Sequence, residues 1–455
     1  MAEPRHDVTA ALDERLPAAL REMGPAWVAG AVAAGPATMA SVVSAGASFG
    51  YAFLWVVVLS AVLGATAQYL AMRLGLLTEA GIVSAVESHL GPRWAWVLVV
   101  DAVLAAGLAQ LVIMKGLADV SATVTGVDAS AWAVAWAVVL AAGLAGRGYR
   151  FVELAAKLLV AGVTLAFLAS LLVVPTDPAA AAAGLVPRTP GGAAGALVAA
   201  GVLGGAVHVT LVTMHSYTMR ARGWTAADYG LATVDVGASM LVAFGVYSVA
   251  IFLVAASVLH DPSVDAGGLT AVAAAQALGP LVGPAAKWLF LLGLWGAAAS
   301  TLGGNTVVVP FLVADRLGWE TDLRDGRYRA LLAGVALLSA AGAVVDGSFF
   351  PLLVFVLAFG LVGTPFAIAV VLALLNSEAV PERNSAAANV GGLVLLAVTA
   401  TTAASFVRGQ VASGLDDPVV AFVLAFAVTM GVATLALLGR VVHRRVQDRR
   451  TPASG

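Results

Sequence analysis

Cysteine is absent from the 455 residues, and charge is scarce: Asp, Glu, Lys and Arg make up 11% of the chain, where a soluble domain carries roughly 25%. The first absence excludes a disulfide framework and a thiolate metal centre, leaving His, Met and oxygen as metal ligands. The second excludes a soluble enzyme, a disordered chain and a nucleic-acid-binding protein. No Walker A sequence occurs, so ATP-driven pumping by this chain is unsupported. Lysine is confined to Lys115, Lys157 and Lys287, all inside apolar segments, and every loop cation is Arg. Together with the alanine richness, this reads as the product of a high-GC bacterial genome.

What remains is apolar. Hydrophobic residues are 61% of the chain, with 49 Gly, 16 Phe and 10 Trp among long Ala, Val and Leu runs. A membrane-crossing helix needs ~20 such residues. A ~19-residue window predicts twelve spans, at 25–48, 50–72, 93–118, 131–148, 152–174, 192–219, 229–256, 281–308, 329–345, 350–375, 387–407 and 418–440. Residues 1–23 mix charges without an apolar stretch and read as a cytoplasmic segment, not a signal peptide. The predicted domains are this segment, one transmembrane unit over 24–445, and a tail at 446–455.

Alternate connectors differ in sign. Apart from Arg188 and Arg408, the cations of the loops and termini fall on one side, including HLGPR, GRGYR, RARGW and DRLGWETDLRDGRYR. The positive-inside rule puts that side, and both termini, in the cytoplasm of a bacterial inner membrane. An even span count agrees. The terminal RVVHRRVQDRR abuts the last span and reads as an anchor to anionic lipid.

Two spans are irregular. In the first, Gly35-Pro36 falls mid-membrane, where Pro removes a donor and clashes with the preceding turn. The sixth carries Gly204-Gly205 just before His208 and Thr210. Backbone groups freed at the midplane are tolerated only where they line a cavity, and paired interruptions in two halves of a chain point to a transporter site. The alternatives are a structural kink at Gly35-Pro36 and close helix packing at Gly204-Gly205.

Ordered pieces of the sequence resemble the Nramp family of divalent-metal transporters: GPAWVAGAVAAGPATMASVVSAGASFGYAFLW at the first two spans, AQYLAMRLGLLTEAG, GYRFVELAAKLL, GLVP, GVLGGAVHVT leading to His215-Ser216, ADRLGWE and GTPFAIAVVLALLNS. The resemblance implies an all-α membrane protein with the LeuT-type 5+5 inverted repeat. Repeat one would run over 24–175, repeat two over 190–376, and two extra helices over 386–441. It implies a substrate site between the first and sixth spans, at Gly35, Pro36, Ala37, Thr38, His208 and Thr210, and no resident cofactor.

At the family's functional positions this chain departs. The Asp-Pro-Gly-Asn of the first span reads Gly35-Pro36-Ala37-Thr38, and the Met-Pro-His of the sixth reads His208-Val209-Thr210. The tenth-span Gln is Leu357. The third-span relay acids fall on Leu108 and Leu111, with an upstream Glu matched by Asp101, while His215 fits the sixth-span His. The ninth span has Ala333-Gly334 where an Arg would lie and only Arg329 at its mouth. Any bound metal would therefore rest on Thr38 and His208, a set without charge, although burying an ion needs compensation. Three readings stay open: an ion that keeps most of its water, as Mg does; a carboxylate such as Asp101 brought in by the fold; or a non-metal solute or anion, attracted by half-helix N-termini.

Intramembrane ionisable groups are functional candidates by default. Asp101, His215 and Asp235 form a possible proton or ion pathway, with Asp235 expected to line the intracellular vestibule. Lys115 and Asp119 are spaced as an i, i+4 pair, as are Glu153 and Lys157, and Lys287 is expected to snorkel. The expected function is secondary transport of a metal ion, Mg-like or Mn-like, with altered proton coupling. The competing readings are transport of another small solute and a transport-inactive sensor or scaffold. A sensor is expected to carry an output domain, and none follows the last span. The expected partners are membrane lipid and the small solute, a monomer sufficing.

Overall fold

The computed structural model describes residues 35–145, 149–188 and 191–450, so the leader and the extreme tail lie outside the described residues. With no water in hydrocarbon to bond N–H and C=O groups, an apolar chain satisfies them within helices, and no strand occurs among the described residues. The elements are α1 (Pro36–Phe49), α2 (Leu54–Thr78), α3 (Pro92–Thr125), α4 (Ala129–Ala145), α5 (Tyr149–Ser170), α6 (Gly192–Val207), α7 (Val209–Ala221), α8 (Tyr229–Gly237), α9 (Gly245–Val258), α10 (Ala286–Thr306), α11 (Val308–Leu317), α12 (Gly326–Leu338), α13 (Phe349–Leu375), α14 (Ala386–Ala412) and α15 (Pro418–Arg450). Each of the twelve expected spans coincides with one of these helices or a consecutive set of them; the first is described only from Gly35 onward.

Small residues set the closest approaches, as expected where packing rather than hydrophobicity drives helix association. A Cβ on Gly46 of α1 would stand 2.8 Å from the backbone nitrogen of Ala256 in α9. On α6, Gly204 lies so close to the Leu357 carbonyl of α13 that a methyl would overlap it. This helix is the axis of the fold: nearly all its residues are buried, and Phe359 stacks on Phe422 and Phe426 of α15. The last two helices are peripheral, presenting Val390, Leu393, Val428, Val432 and Leu435 outward.

Between α8 and α9 the span widens into a π-helical stretch, Ala238–Phe244. A polar contact joins α3 to α10: Gln110 donates to Thr306 Oγ1 at 2.7 Å, and Asn305 donates to Gln110 Oε1 at 2.8 Å and to the Ala106 carbonyl at 2.9 Å. The expected Lys115–Asp119 pair forms at 3.3 Å. Lys287 lies over the Trp288 ring, 5.1 Å from its centroid. The Glu153 and Lys157 side chains lie outside the described residues.

Candidate functional site

α1 starts at the predicted interruption. Gly35 is its N-cap, Pro36 its first residue, and the first intrahelical bond runs from Met39 N to Gly35 O at 3.1 Å. The amides of Ala37 and Thr38 thus precede the hydrogen-bonded ladder, as at any helix N-terminus. Thr38 Oγ1 is buried with no hydrogen-bond partner among the described residues. It faces α6 at Gly205, whose Cβ position is 3.7 Å from both Thr38 Oγ1 and Ser41 Oγ.

The second interruption falls at His208, not at the paired glycines. α6 continues to Val207, and His208 turns the chain with φ −54° and ψ 139° before α7 begins. Gly204-Gly205 instead supply contact surfaces for α13 and α1, the packing alternative. The break stands without proline because both freed ends are capped. Thr364 Oγ1 of α13 donates to the Val207 carbonyl at 3.1 Å. His208 Nδ1 lies 2.8 Å from Thr210 Oγ1 and accepts from Thr210 N at 3.4 Å, so Thr210 is part of the cap. That engagement fixes the ring and leaves Nε2 directed at Gly360 of α13, buried and without a partner among the described residues.

Asp101 of α3 meets the same surface of α13. It is 0% exposed, neither carboxylate oxygen has a partner among the described residues, and a methyl on Gly363 would overlap it. A methyl on Gly360 would likewise overlap His208 Nε2. Cβ positions three residues apart on a helix are about 5–6 Å apart, so carboxylate and imidazole lie within about 10 Å of each other. The structure therefore places Thr38 at the start of α1 against Gly205, three residues before the His208–Thr210 cap, and Asp101 within about 10 Å of the His208 ring.

His215 lies two turns along α7 from His208, about 10 Å by helix geometry. It is buried, and neither ring nitrogen has a partner among the described residues. Asp235 is buried in α8 rather than facing an open vestibule. Leu357 packs against Gly204, the Leu111 carbonyl abuts Gly342, and Arg329 is exposed, so none of these positions supplies a charge to the site.

Sequence reasoning missed two features. Thr364 is a lone threonine in an apolar run, with no pattern to mark it as a cap. At the Arg-rich end of the bundle, Asp315 of α11 accepts from Tyr217 OH at 2.5 Å, from Ser84 N at 3.2 Å and from Ser84 Oγ. The ADRLGWE motif holds that aspartate, but nothing local names its partners.

Comparison with known proteins fits this geometry. Residues 26–409 match the model of the Natural resistance-associated macrophage protein-like (Nramp) family. The divalent metal cation transporter MntH of Mycobacterium tuberculosis (strain CDC 1551 / Oshkosh) is 30% identical over 384 residues, covering 79% of this chain and 84% of that protein. A manganese transporter of Eremococcus coleocola has the same fold, with a TM-score of 0.71 at 17% identity over 99% of this chain and 97% of that one. MHP1, a nucleobase-cation-symport-1 transporter, follows with a TM-score of 0.55 at 14% identity, over 92% of this chain and 93% of its own. The architecture is the LeuT-type fold expected from the resemblance, and this chain belongs to the Nramp family of membrane transporters.

Proposed function

We propose that the protein is a secondary transporter carrying a divalent metal cation across the bacterial inner membrane. The ion would bind at the midplane between the start of α1 and the α7 cap. The carrying observation is that α1 starts at Gly35-Pro36 with the buried, unpartnered Thr38 Oγ1 against Gly205, three residues before the chain breaks at His208, whose Nε2 is also buried and unpartnered. Family membership supports the class of substrate. The ligand chemistry narrows it: the missing thioether removes the preference for soft metals, the one imidazole leaves borderline ions open, and a hydroxyl without charge suits an ion that keeps part of its water, such as Mn2+ or Mg2+. Both termini lie in the cytoplasm on this reading, with the Arg-rich loops.

His208 Nδ1 is engaged at the cap while Nε2 has no partner among the described residues, so Nε2 is the nitrogen a bound ion would meet. Uptake of Mn2+ and Mg2+ into proteoliposomes tests the reading. His208→Ala is expected to lower uptake at least tenfold. Unchanged uptake in that variant would exclude this site, and no divalent uptake by the intact protein would exclude the function.

A further inference from the structure

We infer that Asp101 is the counter-charge of the transported cation, acting from α3 in place of a carboxylate on the first span. This inference rests on the cation-transport reading and goes further by naming the anionic group and the way the fold seats it. Three observations carry it. The charged ligand expected at the start of the first span is absent, since that position is Gly35. Asp101 is wholly buried, and neither oxygen is engaged by any donor among the described residues. It shares with His208 Nε2 the glycine face formed by Gly360 and Gly363, within about 10 Å.

A buried carboxylate without a donor is costly, and burial is normally relieved by a cation or a proton. Here the missing partner and the chargeless first-span site are complementary. An ion at His208 and Thr38 would neutralise Asp101, and Asp101 would supply the charge those two ligands lack. At a separation of this order the attraction acts through space rather than by direct coordination, which suits a divalent cation that keeps part of its water. Gly363 becomes a positioning residue, because any side chain there would take the carboxylate's place.

The experiment combines uptake and protection. Full-length Asp101→Asn in proteoliposomes is expected to lose Mn2+ uptake about 100-fold, the effect of one charge on a divalent ion at ~10 Å with an effective dielectric near 20. Because a buried variant can fail to fold, the intact protein provides a second arm. Dicyclohexylcarbodiimide, which modifies buried carboxyls, is expected to label Asp101 in metal-free protein and to be excluded by saturating Mn2+, read by peptide mass spectrometry. Asp101→Asn protein that takes up Mn2+ within twofold of the parent overturns the inference while leaving the transport reading intact, even if proton movement is lost. So does labelling indifferent to Mn2+. Absence of Mn2+ and Mg2+ uptake by the parent protein overturns both.

Discussion

On the proposed reading, one carboxylate and one imidazole, in a chain with so few charges, decide what the site holds. A divalent ion ~10 Å from Asp101 gains about 3 kcal/mol at an effective dielectric near 20, and an anion at the same place loses about half that. That difference disfavours the anionic solute that the half-helix N-termini alone would have welcomed. The two glycines of α13 make the arrangement possible, which gives a residue-scale prediction. Gly360→Ala forces the imidazole away from its cap and is expected to raise the Mn2+ concentration for half-maximal uptake at least tenfold. Gly334→Ala, with nothing within 4 Å of its Cβ position, should leave it unchanged. Adding charge is the converse: Gly35→Asp is expected to tighten divalent binding measured by calorimetry, and no gain would show that the first span does not face the ion. Asp101, His208 and Thr38 were each legible as residues. Their approach was not, because α3, α7 and α1 each pack against α13, a tertiary fact that no spacing along the chain encodes.

At the scale of the element, most helices could be read from composition because hydrocarbon leaves the backbone no alternative. Where the sixth span breaks could not. The paired glycines looked like the weak point, yet each allows close packing, while the chain opens at His208 because Thr364 of α13 and the His208 ring cap the two ends. Thr364→Val removes the donor to the Val207 carbonyl and leaves a buried acceptor open. The expected cost is about 1 kcal/mol, seen as a lower unfolding temperature in detergent and reduced uptake. An unaltered melting curve and uptake would show that the break needs no cap from α13. Elsewhere capping is routine: Asp325 accepts from Arg327 N at 2.8 Å, and the Arg327 side chain holds the carboxyl down at about 2. A depressed carboxyl stabilises above its unfolded value near 4 and loses that contribution only as pH falls toward 2. Asp325→Asn is therefore expected to leave the pH profile of uptake between 5 and 8 unmoved.

For the whole molecule, the same scarcity that marks it as a membrane protein makes its conformation measurable. With no native cysteine, a single introduced thiol is the only one. Impermeant maleimide on intact cells should label Arg408→Cys and spare Arg324→Cys until the membrane is opened; the reverse pattern would invert the proposed orientation. The described conformation is shut at the Arg-rich end. Asp315 ties α11 to α7 through Tyr217 and to Ser84 beyond α2, and Arg73 of α2 donates to Tyr229 OH at 3.0 Å and to the carbonyls of Glu382 and Arg383. On the proposed reading, opening that end to release an ion separates α7 from α11 and breaks the Tyr217–Asp315 bond, since His208 caps the helix that carries Tyr217. Tyr217→Phe removes one of these bonds and is expected to shift the population toward the open form. In inside-out vesicles, Thr210→Cys should then react several-fold faster with the maleimide than in the Tyr217 background, with Mn2+ slowing both. Equal rates would mean that the Asp315 contacts stay closed through the cycle and that the ion leaves by a path that does not separate α7 from α11.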